Sequence, residues 1–110
     1  MPVFYSPWGI TARDTWRGLE NYVPAIAQAG IPGGGGVDVV NYAGRGILMS
    51  TNWSPAAAPV IVRVDIDGVT ILNAAAPESM AFFIGFTVSL YVRMVSGGVG
   101  GPATVVYLRE

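Results

Sequence analysis

The strict alternation of side chains from Val60 to Asp67 constrains the fold of this chain more than any other feature. The residues at even positions are all apolar, and the intervening odd positions include Arg63, Asp65 and Asp67. This two-residue period is that of a strand with one buried face. Asp67-Gly68 tolerates the positive φ of a two-residue turn, and residues 69–73 are again β-prone. The segment therefore predicts an antiparallel hairpin.

Further strands are predicted on both sides of this hairpin. Residues 37–42 and 46–52 are β-prone and suggest a second hairpin around Ala43-Gly44-Arg45. A short strand over 81–84, with a bulge at Gly85, precedes an alternating strand over 86–94. The final strand, 103–109, is apolar on both faces, which predicts a central or covered position.

These strands are short and separated by turn residues, and the chain contains 15 glycines and 8 prolines, which argues against a helical bundle. The predicted fold class is therefore mainly β: an antiparallel β-sandwich or small barrel, jelly-roll-like, with one short N-terminal helix or arm.

The helix is expected from Ala12 to about Tyr22. Thr11 and Asp14 form a capping pattern, and the apolar residues Trp16, Leu19, Val23 and Ile26 recur at three- and four-residue spacing as one stripe of a helix, which Pro24 must break or kink. Residues 33–36 are four glycines, which predict a flexible hinge. The predicted organisation is an N-terminal arm with a short helix over 1–32, a glycine hinge over 33–36, and a β-sandwich domain over 37–110.

The chain has no cysteine, histidine or lysine, and its six cations are all arginines. The commonest nucleophiles, general bases and transition-metal ligands are therefore missing, and we expect neither an enzyme nor a cofactor. Gly98–Ala103 fits a dinucleotide-binding pattern, but a strand follows it where that site needs a helix. Arg63 occupies the first ligand position of an apparent calcium loop, so no metal site is expected. Asp65 and Asp67 are interpreted as a strand edge and a turn, not as an acid/base pair.

The arginines are spread along the chain and the net charge is −1, so no nucleic-acid partner is expected. The longest uncharged stretch that is rich in apolar residues, 79–92, is shorter than the roughly 20 residues of a membrane-spanning helix. No membrane span is therefore expected.

Charged residues make up only 12% of the chain, against roughly 25% in an ordinary soluble domain. A monomer with so few charges would expose apolar strand faces, so we expect a homo-oligomer. The predicted interface consists of Phe86, Val88, Leu90, Tyr91, Val105, Tyr107 and Leu108. Aromatic side chains also allow a carbohydrate contact, for which Trp53 and Tyr42 are the candidates.

Residues 64–69, 86–93 and 103–108 together resemble small all-β virion accessory proteins of tailed bacteriophages. In those proteins a strand ends in an Asp-Gly turn, a later apolar strand closes on an arginine, and the terminal strand has the form V-x-Y-x. The resemblance implies a structural role in the virion, as a head decoration, fibre or tail accessory. It also implies partners, namely further copies of the chain, most often as a trimer, and other virion proteins. The alternative function is a carbohydrate-binding β-sandwich module that reads a host receptor.

Overall fold

The computed structural model describes residues 22–54 and 59–110, and within them the chain forms eight β-strands and no helix. The strands are β1 (Val23–Ile31), β2 (Gly36–Ala43), β3 (Gly46–Trp53), β4 (Val60–Ile66), β5 (Val69–Ala75), β6 (Ser79–Phe86), β7 (Ser89–Ser96) and β8 (Gly101–Arg109).

The eight strands form two four-stranded antiparallel sheets. The first sheet has the order β1-β8-β3-β6 and the second the order β2-β7-β4-β5. Consecutive strands lie in opposite sheets, except β4 and β5, which are neighbours in the second sheet. This strand order is that of a jelly roll, so the predicted antiparallel sandwich is confirmed.

The β4–β5 hairpin has the predicted turn, and its register shifts by one residue between Val64 and Asp65. Val60, Val62 and Val64 are fully buried between the sheets. The turn residues Asp67 and Gly68 have φ values of 53° and 81°, as a two-residue turn with both residues in the left-handed region requires. The alternation alone was sufficient to place this strand and its buried face.

The core fills the space between the two sheets. Its largest fully buried apolar side chains come from five strands, β3, β4, β6, β7 and β8. They are Leu48, Val60, Val62, Val64, Phe86, Leu90, Val92, Met94 and Val105. Each sheet therefore buries one face, and each leaves one outer face exposed.

The sandwich begins earlier than the sequence predicts. Val23–Ile31 pairs with β8 along its whole length, from Val23 opposite Arg109 to Ile31 opposite Gly101. Pro24 is compatible with this strand because β1 lies at a sheet edge, where a missing backbone N–H is tolerated. The prediction that residues 1–32 form an arm outside the sandwich was wrong for residues 23–31, which form β1. The predicted helix lies outside the described residues, except for its expected end near Tyr22.

The glycine run does not separate two units. Strands on both sides of it belong to the same sandwich, and residues 33–35 form the tight connection between them. The backbone N–H of Gly35 donates to the carbonyl of Pro32 at 3.2 Å, and Gly34 has a φ of 68°. The glycines therefore allow a turn between β1 and β2, and the hinge prediction was wrong.

Three other local predictions were also wrong. β2 pairs with β7, and β3 pairs with β6 and β8, so residues 43–45 cross between the sheets and do not close a hairpin. Relative to β8 the extra residue is Met49 of β3, and relative to β3 the extra residue lies at Phe82-Phe83 of β6, whereas Gly85 pairs regularly with Ile47. Residues 86–94 span the end of β6, a bend and β7, because the chain changes sheets there. The expectation of a central position for β8 was correct, since it pairs with both β1 and β3.

Candidate functional site

The outer face of the first sheet contains no charged residue. The strand register and the buried positions identify the side chains that point outward. They are Pro24, Ile26, Gln28 and Gly30 of β1, Pro102, Thr104, Val106 and Leu108 of β8, Ile47, Ser50 and Asn52 of β3, and Ser79, Ala81, Phe83 and Gly85 of β6. We call this surface the uncharged face.

The uncharged face has an apolar end and a polar end. Ile26 and Phe83, on the two edge strands, are each 66% exposed. Val106 and Leu108 lie between these edges and are half-buried by their neighbours in the sheet. Towards the other end of the strands a row of amides and hydroxyls crosses the sheet, formed by Gln28, Thr104, Asn52 and Ser79.

The outer face of the second sheet carries a network of charged groups. The hydroxyl of Tyr91 donates to Asp38 Oδ1 at 2.6 Å, and Arg93 Nη1 donates to the same oxygen at 2.8 Å. These two hydrogen bonds lower the pKa of Asp38 below its ordinary value. The same contact with Asp38 raises the pKa of Tyr91.

Arg63 and Asp65 extend this network on β4. Arg63 donates two hydrogen bonds to the Asp65 carboxylate, at 3.2 and 3.1 Å, and its guanidinium lies 5.7 Å from the centre of the Tyr91 ring. Burial raises the pKa of Asp65, but hydrogen bonds from Thr70 and Arg63 lower it, with a net decrease. Each arginine on this face is thus paired with a carboxylate, so the face offers no free anion site.

Asp67 joins two turns at one end of the sandwich. Its carboxylate accepts hydrogen bonds from the backbone N–H groups of Thr87, Val88 and Ser89 and from the Thr87 hydroxyl. The bonds from Val88 and Ser89 are the main reason why the pKa of Asp67 is lowered. Asp65 and Asp67 are both engaged in structural contacts. The two carboxylates are therefore not arranged as an acid/base pair.

The seven residues of the predicted interface do not form one surface. Phe86, Leu90 and Val105 belong to the core between the sheets and are at most 2% exposed. They are not available to a neighbouring subunit, so the interface prediction was wrong for these three residues. The reason is that β6, β7 and β8 each bury one of their apolar faces within the protomer.

The other four predicted interface residues are distributed over the molecule. Val88 is 65% exposed in the bend between β6 and β7, and Tyr91 lies on the charged face of the second sheet. Tyr107 is half-buried and packs against the core. Leu108 is the only one of the seven on the uncharged face.

Sequence reasoning missed the two most exposed large apolar residues of this face, Ile26 and Phe83. Ile26 was assigned to the apolar stripe of a helix. Phe83 follows Phe82 directly, and successive apolar residues in a strand indicate that both faces are apolar. The signal for Phe83 was therefore present in the sequence.

The two candidates for carbohydrate contact do not present open ring faces together. Trp53 is only 9% exposed, and no acceptor lies within hydrogen-bonding distance of its Nε1 among the described residues. The Tyr42 ring packs edge-on against Phe86, with 6.0 Å between ring centres, and 5.7 Å from Tyr107. Stacking of a sugar on Trp53 is excluded by its burial.

A shallow depression of about 250 Å³ adjoins Trp53 at the polar end of the uncharged face. Asn52, Ser79 and Thr104 contribute neutral polar groups to it, and Glu78 also lines it. The Ser79 hydroxyl donates to Asn52 Oδ1 at 2.7 Å. These groups are suited to hydrogen bonding with a small polar ligand.

Among residues 22–54 and 59–110, no three acidic side chains are close enough together to hold a metal ion. No helix in this part of the chain has the length and apolar character that would let it cross a membrane. No protein-family model matches the chain, and no characterised protein with a matching sequence was found.

Proposed function

We propose that this protein is a structural component of a tailed-bacteriophage particle, acting as a head decoration or as a tail or fibre accessory, and that it assembles as a homo-oligomer. Its location would be the virion, and its partners would be further copies of itself and other virion proteins. The observation that carries this proposal is the uncharged face, with Ile26 and Phe83 exposed at its edges.

An exposed apolar face of this kind is costly for a free monomer. Soluble monomers rarely expose contiguous apolar patches larger than a few hundred Å², and larger patches usually mark an interaction site. The charged groups of this sandwich lie on the second sheet and at the strand ends, so they do not shield the uncharged face. Assembly into a particle would remove it from water.

The architecture is compatible with such a role. Jelly rolls occur in viral capsid domains, although they also occur in lectins, so the fold alone does not decide between these functions. The role in the phage particle, rather than a lectin function, is supported by the resemblance of residues 64–69, 86–93 and 103–108 to phage accessory proteins.

Mass spectrometry of purified particles of the phage that encodes this chain tests the proposal. We expect the chain to be present at a fixed ratio to the major capsid or tail protein, and to remain after washing in high salt. Its absence from purified particles would overturn the proposed function.

A second candidate function is carbohydrate recognition, which the polar depression beside Trp53 favours. Neutral amides and hydroxyls at this position could hydrogen-bond to sugar hydroxyls without an aromatic platform. Glycan-array binding that is lost in Asn52→Ala, but kept in Asn73→Ala on the second sheet, would support it. The absence of binding to any glycan would exclude it.

A further inference from the structure

We infer that two copies of this chain pack their uncharged faces against each other about a twofold axis parallel to the strands. In this arrangement Ile26 of each copy contacts Phe83 of the partner subunit. The inference rests on the proposed homo-oligomer and names the surface and the partner that form it.

The chemistry of the face favours a second copy as its occupant. No outward residue of the sheet is charged, so contact between two identical faces brings no like charges together and buries no unpaired charge. A charged partner surface would instead lose hydration without gaining a counter-ion. A self-complementary apolar face is what a twofold interface requires.

The area of the uncharged face is also sufficient for a dimer interface. Four strands about 4.8 Å apart and about eight residues long give a face of roughly 500 Å² on each copy. Two such faces bury roughly 1,000 Å² in total, which is the approximate lower limit for a specific protein–protein interface. The contact therefore needs most of the sheet and not only its edges.

The positions of Ile26 and Phe83, which we call the two anchors, determine the direction of the twofold axis. Ile26 is on β1 and Phe83 on β6, at opposite edges of the sheet and about 14 Å apart across three strand spacings. The register places them at nearly the same height along the strands. A twofold axis parallel to the strands exchanges the two edges, so each anchor faces the other type of anchor on the partner.

A face-to-face contact of this type closes at two copies. The trimer that the resemblance implies would need each copy to offer two different surfaces. The outer face of the second sheet, with its paired charges at Asp38, Arg63, Asp65 and Arg93, is not a match for the uncharged face.

Light scattering after size exclusion, on the full 110-residue chain at micromolar concentration, gives the first test. We expect the mass of two chains, and we expect Phe83→Glu to weaken self-association by at least about 30-fold, since it places an unpaired charge against the partner subunit's Ile26. Ile61→Glu is the matched control. Ile61 is 42% exposed on the second sheet, and its substitution should leave the dimer intact.

Thiol cross-linking gives a second test that does not depend on the Phe83→Glu variant. The chain has no cysteine, so introduced thiols react without interference. Facing sheets lie about 10 Å apart, so a mixture of Ile26→Cys and Phe83→Cys chains should be joined by a bis-thiol reagent that spans about 10 Å. Either variant alone should be joined poorly, because identical positions lie roughly 17 Å apart in the dimer, from about 14 Å across the strands and about 10 Å between the sheets.

A monomeric wild-type chain would overturn the inference, and so would a mass of three chains. A monomer that becomes dimeric when residues 1–21 are deleted would assign the uncharged face to that segment and overturn it as well. If the chain is monomeric but is found in purified particles, this interface fails while the proposed role in the particle stands.

Discussion

The carboxylate of Asp67 accepts a hydrogen bond from the backbone N–H of Val88 at 2.7 Å. Two further backbone N–H groups, of Thr87 and Ser89, point to the same carboxylate at 3.0 and 3.1 Å. Successive N–H groups in a bend form a concave site for an anion, and here the protein supplies the anion itself. This contact joins the β4–β5 turn to the segment in which the chain crosses from the first sheet to the second.

Substitution of Asp67 should lower the melting temperature. Asp67→Asn removes the charge but keeps a side chain that tolerates the positive φ of 53°, whereas Asp67→Ala also places a methyl group in an unfavourable backbone conformation. We therefore expect a larger decrease for Asp67→Ala than for Asp67→Asn, measured by circular dichroism. An Asp67→Ala chain that unfolds at the wild-type temperature would contradict this assignment.

Stability should decrease in acid, in part through Asp67. Hydrogen bonds from Val88 and Ser89 lower its pKa in the folded protein. Its stabilising contribution is therefore complete above the unfolded-state value of about 3.9 and is lost as the pH falls through the lower, folded-state pKa.

Melting temperatures measured from pH 7 to pH 2 should show this decrease below about pH 4. The decrease should be smaller in Asp67→Asn and should not vanish, because the pKa values of Asp38 and Asp65 are also lowered. Equal acid sensitivity of Asp67→Asn and wild type would show that the Asp67 contact does not contribute.

Leu90 should act through the core and not through an interface. Because Leu90 is fully buried, Leu90→Ala should lower the free energy of unfolding by about 2–5 kcal/mol in denaturant titrations. Val88→Ala, at an exposed position two residues earlier, should change it by less than about 0.5 kcal/mol. If Leu90→Ala abolished self-association while leaving the stability of the protomer unchanged, Leu90 would be an interface residue after all.

Gly46 should be required for packing, unlike Gly30. A Cβ at position 46 would overlap the carbonyl oxygen of Leu108 and the Phe86 ring, whereas one at position 30 would meet no atom within 4 Å. Gly46→Ala should therefore destabilise by at least about 1–3 kcal/mol, through overpacking. Gly30→Ala should be neutral or stabilising by up to about 1 kcal/mol. Thermal and denaturant unfolding of both variants would check the difference, and equal stability would contradict it.

The local signals in the sequence were most reliable where neighbours along the chain are also neighbours in the sheet. The β4–β5 hairpin has both its alternation and its turn residues within one short segment, and it was predicted correctly. The hairpin expected around Gly44 was wrong, because β2 and β3 lie in opposite sheets and pair with strands distant in sequence. Turn residues indicate that a chain changes direction, but not which sheet it joins next.

The candidate site was less predictable than the fold, for a related reason. The small number of charged residues correctly indicated that part of the strand surface would be exposed without charges. The sequence analysis assigned this surface to residues such as Phe86 and Leu90, which are buried in the core. An alternating strand has one apolar face whether that face packs against the opposite sheet or against a partner. Burial decides between the two, and burial depends on how the sheets stack.

The sequence by itself determined that this chain forms short antiparallel strands around one core, because hydrophobic period and turn chemistry act within a few residues. It also determined that charges would be scarce on part of the surface. Only the tertiary structure decided that β1 belongs to the sandwich, that β8 lies between β1 and β3, and that Ile26 and Phe83 share one outer face. Those relationships depend on hydrogen bonds and packing between strands far apart in the chain, for which the local sequence carries no direct signal.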